Sequence, residues 1–453
     1  MSICTEETKI AVIGRYKNFD DYISSGYDYL PKVPTHWRVL RNRQLFQFKK
    51  RIVGKLVDKY QVLSLTLNGV IPRDIESGKG KMPAEFDSYQ IVKPGNLVFC
   101  LFDIDETPRT IGISSHEGMV TGAYKVAEVV KEHSSEFVYY YYLHLDEFKG
   151  LKPFYTGLRK VVRPETFLGL YIPVPPLEEQ RTIAAFLDYE TARIDKLIAK
   201  QQRLMELLKE KRQAMISHAV TKGLNPDAPM KDSGVEWLSK VPEHWRIPKL
   251  MLMTTRIGDG LHSTPEYEDG TGYYFVNGNN LSGGAIVLGP TSKEVPESEY
   301  HKHHIKLDET TLLISINGTI GNLAVYENEA IILGKSACYI KCGPHLNRLF
   351  LMNYLRSNEI RHYFETEVTG TTIFNLSLNS IRQMKVNIPP VKEQNDIVRY
   401  CAKQDKLFDK LTDKSSQIIW LLQERRTALI SAAVTGKIDL RGWVAPTEEV
   451  SNG

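Results

Sequence analysis

The sequence predicts an α/β protein, in which two globular α/β domains are separated by two long antiparallel coiled-coil helices with a pseudo-twofold internal repeat. Three observations predict this fold class. The phrase KVPTHWRVL (Lys32–Leu40) returns 208 positions later as KVPEHWRIP (Lys240–Pro248). A stretch of helix-forming residues also occurs twice in the chain. The two remaining segments, each of about 140 residues, hold short alternating apolar runs and turn signals.

The helix-forming stretch is an internal duplication. Pro175–Thr221 aligns with Pro389–Thr435 without a gap, at an offset of 214 positions, and about 19 of 47 columns are identical. The double proline that opens each copy ends the preceding element and allows a helix to begin directly after it. Neither copy holds a further proline, and the first is rich in strong helix formers. The sequence therefore predicts two long, related helices.

A shared apolar seam predicts that these helices pair. A heptad frame with Ile183 at position a and Leu187 at position d puts apolar residues in the same columns of both copies, and polar breaks coincide as well, as at Glu190 and Gln404. The alternative is two independent amphipathic helices, each packed on its own domain. About 40 helical residues span about 60 Å, a length that suits a spacer. The seam consists of Ile183, Leu187, Ile194, Leu197, Leu204, Leu208 and Met215 in the first copy and Ile397, Phe408, Leu411, Ile418, Leu422 and Leu429 in the second.

The two segments outside the helices differ in sequence, but their endings agree. NLVFCLF, VAEVVKE, TLLISING and SACYIKC predict strands, whereas FVYYYYLHLDEF and RLFLMNYLRS predict buried helices or strands. Each segment ends with a Thr-Gly turn, a polar stretch and an apolar strand that runs into the double proline. The predicted divisions are an N-terminal segment (1–25), a first domain (26–174), a central helix (175–232), a second domain (233–388), a C-terminal helix (389–440) and a tail (441–453).

This arrangement resembles the specificity subunit of type I restriction–modification systems. The resemblance is carried by GYDYLPKVPTHW and DSGVEWLSKVPEHW before the domains, and by IPVPPLEEQRTIAAFLD and NIPPVKEQNDIV after them. GDGLHSTPEY, at the start of the second domain, is similar to a common opening of family domains. The resemblance implies that each domain is a target recognition domain for one half of a split DNA sequence. It also implies that the helices fix the gap and dock two modification subunits.

The family implies that this chain binds no cofactor. S-adenosylmethionine is then expected on the modification subunits that methylate adenine, and ATP and Mg on the restriction subunits that translocate and cleave DNA. The residues agree with a non-catalytic role, because no glycine-rich cofactor loop opens a helix and LGKS lacks the first glycine of a phosphate-binding loop, where Glu329 stands. The rival interpretation is a tandem interaction scaffold that holds two non-nucleic-acid partners apart.

Composition permits DNA binding without demanding it. The net charge is +4 and the charged fraction is 25%. The five cysteines are scattered and no apolar run reaches about 18 residues, which predicts a cytoplasmic, nucleoid-associated protein with no membrane contact and no metal site. The first domain holds about 20 Lys and Arg against 15 Asp and Glu, and the second about 13 against 14. We therefore expect the first domain to carry more of the phosphate contacts.

The predicted DNA contacts lie on expected loops. Cations would bind phosphates, and neutral polar side chains would contact base edges. The alternatives are solvated charges for the cations, turn formation for the asparagines and threonines, and a structural role for the histidine. Trp37 and Trp245 recur identically while the domains differ, so we expect them to pack at the junction of helix and domain. The predicted contacts are Lys49, Lys50, Arg51, Arg73, Lys79, Lys81, Arg159, Lys160, Arg163, His262, Asn277, Asn279, Asn280, Asn317, Thr371 and Thr372.

Overall fold

The computed structural model describes residues 16–27, 30–73, 86–157, 160–289, 292–370 and 374–446. The chain divides into two compact units. Unit 1 comprises residues 1–201 and 416–453, and unit 2 comprises residues 202–415. Each unit combines strands and short helices with one part of each long helix, which agrees with the predicted mixed α/β, two-domain layout.

Unit 1 is built from twelve described strands and three short helices, followed by the start of the first long helix. The strands are β1 (Tyr22–Tyr27), β2 (Leu30–Pro34), β3 (Arg38–Arg41), β4 (Phe46–Phe48), β5 (Leu63–Thr66), β6 (Gly69–Pro72), β7 (Gln90–Val92), β8 (Leu97–Phe99), β9 (Ile111–Ile113), β10 (Gly118–Val120), β11 (Lys125–Val129) and β12 (Tyr171–Val174). The helices are α1 (Asn42–Leu45), α2 (Ser135–Glu147), α3 (Pro164–Gly169) and α4 (Leu177–Lys222), of which residues up to Gln201 belong to unit 1.

Unit 2 has eleven described strands and four short helices before the second long helix. The strands are β13 (Met230–Asp232), β14 (Lys240–Pro242), β15 (Thr254–Asp259), β16 (Tyr274–Val276), β17 (Leu281–Ser282), β18 (Ala285–Ile286), β19 (Lys293–Glu294), β20 (Thr311–Ser315), β21 (Leu323–Val325), β22 (Ile331–Leu333) and β23 (Ala337–Cys342). The helices are α5 (Glu297–His303), α6 (Arg348–Leu355), α7 (Asn358–Glu367), α8 (Leu378–Gln383) and α9 (Val391–Val434), which enters unit 1 at Ser416.

The main sheets of the two units share one topology. The four-stranded sheet of unit 1 has the order β4-β11-β8-β9, and that of unit 2 has the order β15-β23-β20-β21. In both, the last strand in sequence lies between the first and second strands, and all pairs are antiparallel. Smaller sheets surround each main sheet, including β19-β16-β22, in which β16 and β22 are parallel. The main sheets of the two units thus share one topology, although the sequences of the two domains differ.

Each unit has its own apolar core. In unit 1, α2 covers the sheet. The ring centroids of Phe99, Tyr142 and Phe167 lie 5.0 to 5.1 Å apart in the buried cluster. In unit 2, Leu312 and Ile340 of the sheet are buried in one cluster with Phe350 of α6. Aromatic packing of this kind dominates core energetics. These cores give each unit a rigid body on which loops can be held.

The long helices begin directly after their double prolines, as the sequence predicts, with α4 at Leu177 and α9 at Val391. They contain 46 and 44 residues. Among the residues that the structure describes, no helix is long and apolar enough to cross a membrane.

The predicted seam residues differ in burial. Toward the domain ends of the helices the seam is buried, at Ile183, Leu187, Ile194, Ile397, Phe408 and Leu429. Leu208, Met215 and Leu422 are half-buried. Near the helix centres it is exposed, at Leu197, Leu204, Leu411 and Ile418. The seam as a whole therefore stays a prediction.

Candidate nucleic-acid interface

A Thr-Gly hairpin occupies the same place in both units. In unit 1 the amide of Thr156 donates to the carbonyl of Val161 at 2.9 Å, and Val161 also bridges Phe102, just past β8. In unit 2 Thr369 and Asn375 exchange amide bonds at 3.0 and 2.9 Å, and Asn375 bridges Asn317, just past β20. The glycine after each threonine has a positive φ, which favours glycine there. Each hairpin therefore pairs with the segment that leaves the equivalent strand.

In unit 1 two of the predicted cations, Lys49 and Lys160, lie on segments that meet at one end of the main sheet. Lys49 follows β4, and its amide donates to Val126 at 2.9 Å, next to the start of β11. Lys125 at that start lines a groove of about 510 Å³ together with Phe102 and Pro164. Lys160 lies on the hairpin, whose end is joined to Phe102 through Val161. Segments more than 100 positions apart in sequence thus meet here.

The cations at this end differ in their partners. Lys160 lies 2.9 Å from Glu106 and 3.3 Å from Asp105, and these hydrogen bonds raise the pKa of Lys160. Arg51 lies 2.8 Å from Glu128 on β11. Lys50 and Arg163 are exposed, and within the described residues neither has a side-chain ion pair or hydrogen bond. Lys50 and Arg163 are therefore the cations of this group whose side chains are most available to bind phosphate.

Arg73 follows β6, where its backbone amide donates to the carbonyl of Val62 at 2.8 Å.

The stacked rings of Phe102 and Tyr124, with centroids 6.3 Å apart, were not predicted as part of the site. Burial raises the pKa of the Tyr124 hydroxyl. An aromatic residue at the end of the apolar run NLVFCLF, three residues past β8, is the sequence signal that would have identified Phe102.

In unit 2 the neutral candidates converge on the corresponding end of the sheet. His262 lies just past β15, and Asn317 just past β20. The short 3-10 turn Gly278–Asn280, with Asn277 as its N-cap, is tied to the start of β23. Ser336 donates to the side chain of Asn277 at 2.9 Å and accepts from the backbone amide of Gly278 at 2.9 Å. In both units, some of the predicted contacts thus lie at the same topological end of the main sheet.

Several of these neutral side chains also hold the loops together. The backbone amide of Asn277 donates to the side-chain oxygen of Asn280 at 3.0 Å, and the side-chain amide of Asn317 donates to the carbonyl of Lys335 at 3.3 Å. His262 is exposed and lies 2.8 Å from Asp259. Asn279 is exposed and has no side-chain hydrogen bond among the described residues. Asn279 therefore presents its side-chain amide to solvent, whereas Asn277 and Asn280 form the turn that carries it.

Five predicted contacts, Lys79, Lys81, Arg159, Thr371 and Thr372, lie outside the described residues. Within the described part of the chain, no group of three or more His, Cys, Asp or Glu side chains is placed to hold a metal ion.

Charged pairs join the long helices inside each unit. In unit 1 Arg426 of α9 lies 3.4 Å from Asp195 of α4. In unit 2 Arg212 of α4 lies 2.7 Å from Asp409 of α9. The two aspartates are 214 positions apart, as are the two arginines, so the same pair occurs once in each unit with the helices exchanged. Glu190, at one of the coinciding polar breaks, lies 3.7 Å from Arg425 of α9.

These features define a class of protein with two α/β domains of one topology, each presenting polar or basic loops at one end of a sheet and each tied to two long helices. The model of the type I restriction modification DNA specificity domain matches residues 117–206 and 258–419, which is more than half of the chain. The chain belongs to this family.

Known specificity subunits are similar to the chain in sequence. The EcoKI specificity subunit of Escherichia coli (strain K12) is 24% identical over 313 residues, which cover 64% of this chain and 62% of that protein. The chain thus spans less than two thirds of that relative. The MjaVIII specificity subunit of Methanocaldococcus jannaschii is 22% identical over 428 residues, covering 90% of this chain and 95% of that one.

Solved structures share the fold. A chain from a structure of the type I R-M system, described for its complex assembly and conformational transition, has a TM-score of 0.66 at 17% identity and covers 89% of this chain and 98% of that one. The HsdS subunit from Thermoanaerobacter tengcongensis has a TM-score of 0.54 at 18% identity, covering 92% and 100%.

Proposed function

We propose that the chain is the sequence-specific DNA-binding subunit of a type I restriction–modification complex and has no catalytic role of its own. Each domain reads one half of a bipartite site. The observation that carries the proposal is that both units repeat one sheet topology and one hairpin, while the side chains at the shared end of the sheet differ. A protein that reads two different half-sites needs a constant frame and variable contacts.

The chemistry of the two sheet ends suits duplex DNA. Cations such as Lys50 and Arg163 bind phosphates, and amides such as that of Asn279 bind base edges, with adenine the usual partner of Asn. The proposed interface includes every predicted contact, also the five that lie outside the described residues. Since unit 1 supplies most of the cations, it would contribute most of the salt-dependent affinity, and partner subunits would complete the contacts around unit 2.

We propose that α4 and α9 form an antiparallel coiled coil with a pseudo-twofold axis, within the domain divisions that the sequence predicts. The reciprocal pairs Arg212–Asp409 and Arg426–Asp195 support this, because an isologous arrangement places each contact twice with the partners exchanged. The helices would set the gap between half-sites.

The exposed centres of the helices are the proposed docking surface for two modification subunits. Large apolar side chains outside the predicted seam are exposed there, among them Leu207 in unit 2 and Leu421 in unit 1. Exposed apolar residues that cluster on one surface commonly mark interaction sites. S-adenosylmethionine, ATP and Mg would then be bound by the modification and restriction subunits, and the complex would act on chromosomal DNA in the cytoplasm.

A matched deletion tests the spacer. Removing residues 200–206 from α4 and 414–420 from α9 keeps both reciprocal charged pairs and shortens each helix by about 10 Å. We expect the complex with its modification subunits to select unchanged half-sites with a gap shorter by up to about three base pairs. Deleting the last seven residues, 447–453, is the length-matched control and should leave the gap unchanged. An unchanged gap after the helix deletion would contradict the proposal.

The salt dependence of binding separates this function from that of a scaffold for non-nucleic-acid partners. Affinity for a duplex with both half-sites should fall steeply as salt rises, and it should exceed the affinity for a duplex with scrambled half-sites. Equal, weak binding to both duplexes would favour the scaffold.

A further inference from the structure

A buried carboxylate closes the junction between the first domain and the start of α4. Glu179 lies in the first turn of α4, and its side chain is 5% exposed. One of its oxygens accepts from the indole N–H of Trp37 at 2.9 Å, and the other lies 2.8 Å from Nε2 of His36. A carboxylate buried to this degree requires such donors, because its desolvation is otherwise costly. The HW dipeptide thus supplies both hydrogen-bond partners.

The second domain has the same junction at the start of α9. Glu393 accepts from the indole N–H of Trp245 at 3.1 Å and lies 2.8 Å from Nε2 of His244. Its side chain is 28% exposed, so this junction is more open to water than the first. In both units, the His-Trp dipeptide of the repeated motif therefore contacts the glutamate in the first turn of a long helix.

The glutamine that follows each glutamate holds a second segment of the domain. Gln180 accepts from the amide of Ser134, the N-cap of α2, at 2.9 Å. Gln394 accepts from the amide of Asn347, the N-cap of α6, at 2.8 Å. Both glutamines are buried. Each Glu-Gln dipeptide thus attaches the helix start to two distant parts of one domain.

The end of the other long helix closes each junction from the opposite side. Gly436, just past α9, has a φ of +69°, and a β-carbon there would lie 2.5 Å from Pro34 and 3.2 Å from Trp37. Gly223, just past α4, has a φ of +80°, and its β-carbon would lie 3.4 Å from Trp245. Each tryptophan is therefore held between the start of one long helix and the end of the other.

We propose that Glu179 and Glu393 are positioning residues that fix the direction in which each domain leaves the long helices, and that they thereby limit the gap between half-sites that the protein accepts. The inference rests on the proposed function. A rotation of about 10° at a junction moves a point about 25 Å away, which is the scale of such a domain, by about 4 Å, more than the 3.4 Å rise of one base pair. A loosened junction would therefore admit neighbouring gap lengths.

Methylation by the full chain with its modification subunits tests the inference. Rates are measured on duplexes with the wild-type gap and with gaps one base pair shorter or longer. For Glu179→Gln we expect the preference for the wild-type gap to fall about tenfold, with half-site preference unchanged. Combination with Glu393→Gln should reduce the gap preference further. The control is Glu178→Gln, since Glu178 is exposed and its side chain pairs, among the described residues, with Arg181 on the same helix. The gap preference of this variant should match the wild type.

The outcomes separate positioning from stability. A role in stability alone would lower the rate on every duplex by one factor and leave the gap preference unchanged, and that result would overturn the inference. If Glu179→Gln does not fold, Trp37→Phe removes the indole donor, keeps an aromatic ring and should relax the gap in the same way; an unchanged preference in that variant also overturns the inference. If the wild-type complex shows no bipartite preference, the proposed function itself fails.

Discussion

Replacing Arg212 with alanine should weaken the packing of α9 on α4 in unit 2. The guanidinium donates from Nε to Asp405 at 2.6 Å and from a terminal nitrogen to Asp409 at 2.7 Å. Burial lowers the pKa of Arg212, but the hydrogen bonds and charges of the two aspartates outweigh burial and raise that pKa above its ordinary value. The arginine is thus held as a cation between two carboxylates of the other helix.

The size of the effect follows from the exposure of the two partners. Asp405 is 22% exposed, and a hydrogen bond between charged groups at such a site contributes about 1.5 kcal/mol. Asp409 is 59% exposed, and an ion pair there contributes about 0.5 kcal/mol. Arg212→Ala should therefore lower the free energy of unfolding of unit 2 by about 2 kcal/mol. Arg203→Ala, which removes an exposed pair with Glu206 on the same helix, should cost about 0.5 kcal/mol or less.

Urea unfolding measures the loss, because urea does not screen charges, and hydrogen exchange over residues 391–415 locates it. A double-mutant cycle of Arg212→Ala with Asp405→Ala should give a coupling energy that shrinks as salt rises. Equal effects of Arg212→Ala and Arg203→Ala, or a coupling near zero at low salt, would refute the reasoning.

Three other changes have distinct expected results. Gly436→Ala should lower the stability of unit 1 by about 2 kcal/mol in thermal unfolding, because the methyl group would lie 2.5 Å from Pro34 at a positive φ, and an unchanged melting temperature would contradict this. The hydrogen bond from Lys341 lowers the pKa of Asp308 from its ordinary 3.8 to about 2, so this stabilisation is present above pH 4 and is lost as the pH falls toward 2. Asp308→Asn should cost about 1 kcal/mol in urea at pH 7, after allowance for screening of a carboxylate that is 45% exposed, and only a small fraction of that at pH 2, whereas an equal loss at both pH values would refute the ionic cause. Arg163→Ala should reduce the slope of log affinity against log salt by about one, and an unchanged slope would remove it from the phosphate contacts.

Local patterns predicted the elements of the fold well. NLVFCLF contains β8, and VAEVVKE overlaps β11. TLLISING and SACYIKC contain β20 and β23. These strands are the central, neighbouring strands of the two main sheets. FVYYYYLHLDEF was ambiguous between helix and strand. It forms α2, which begins after Ser134, an N-cap whose side chain accepts from the backbone amide of Phe137.

Long-range partners could not be predicted, because no local pattern encodes them. The recurrence of Trp37 predicted packing at the junction, and the residue is buried there, but its hydrogen-bond partner Glu179 lies 142 positions away. Lys160 was predicted as a free surface cation or a phosphate contact, yet it pairs with acids more than 50 positions earlier. The pairing of Phe102 with the hairpin at Val161 is likewise a product of tertiary folding.

The most direct test of the central claim is the methylome of a host that carries this chain with its modification subunit. Two specific half-sites separated by a fixed, unspecified gap should be methylated on adenine, and exchanging residues 245–388 for those of a relative should replace one half-site and leave the other and the gap unchanged. Methylation at a continuous site, or a change in both half-sites after the exchange, would contradict the account.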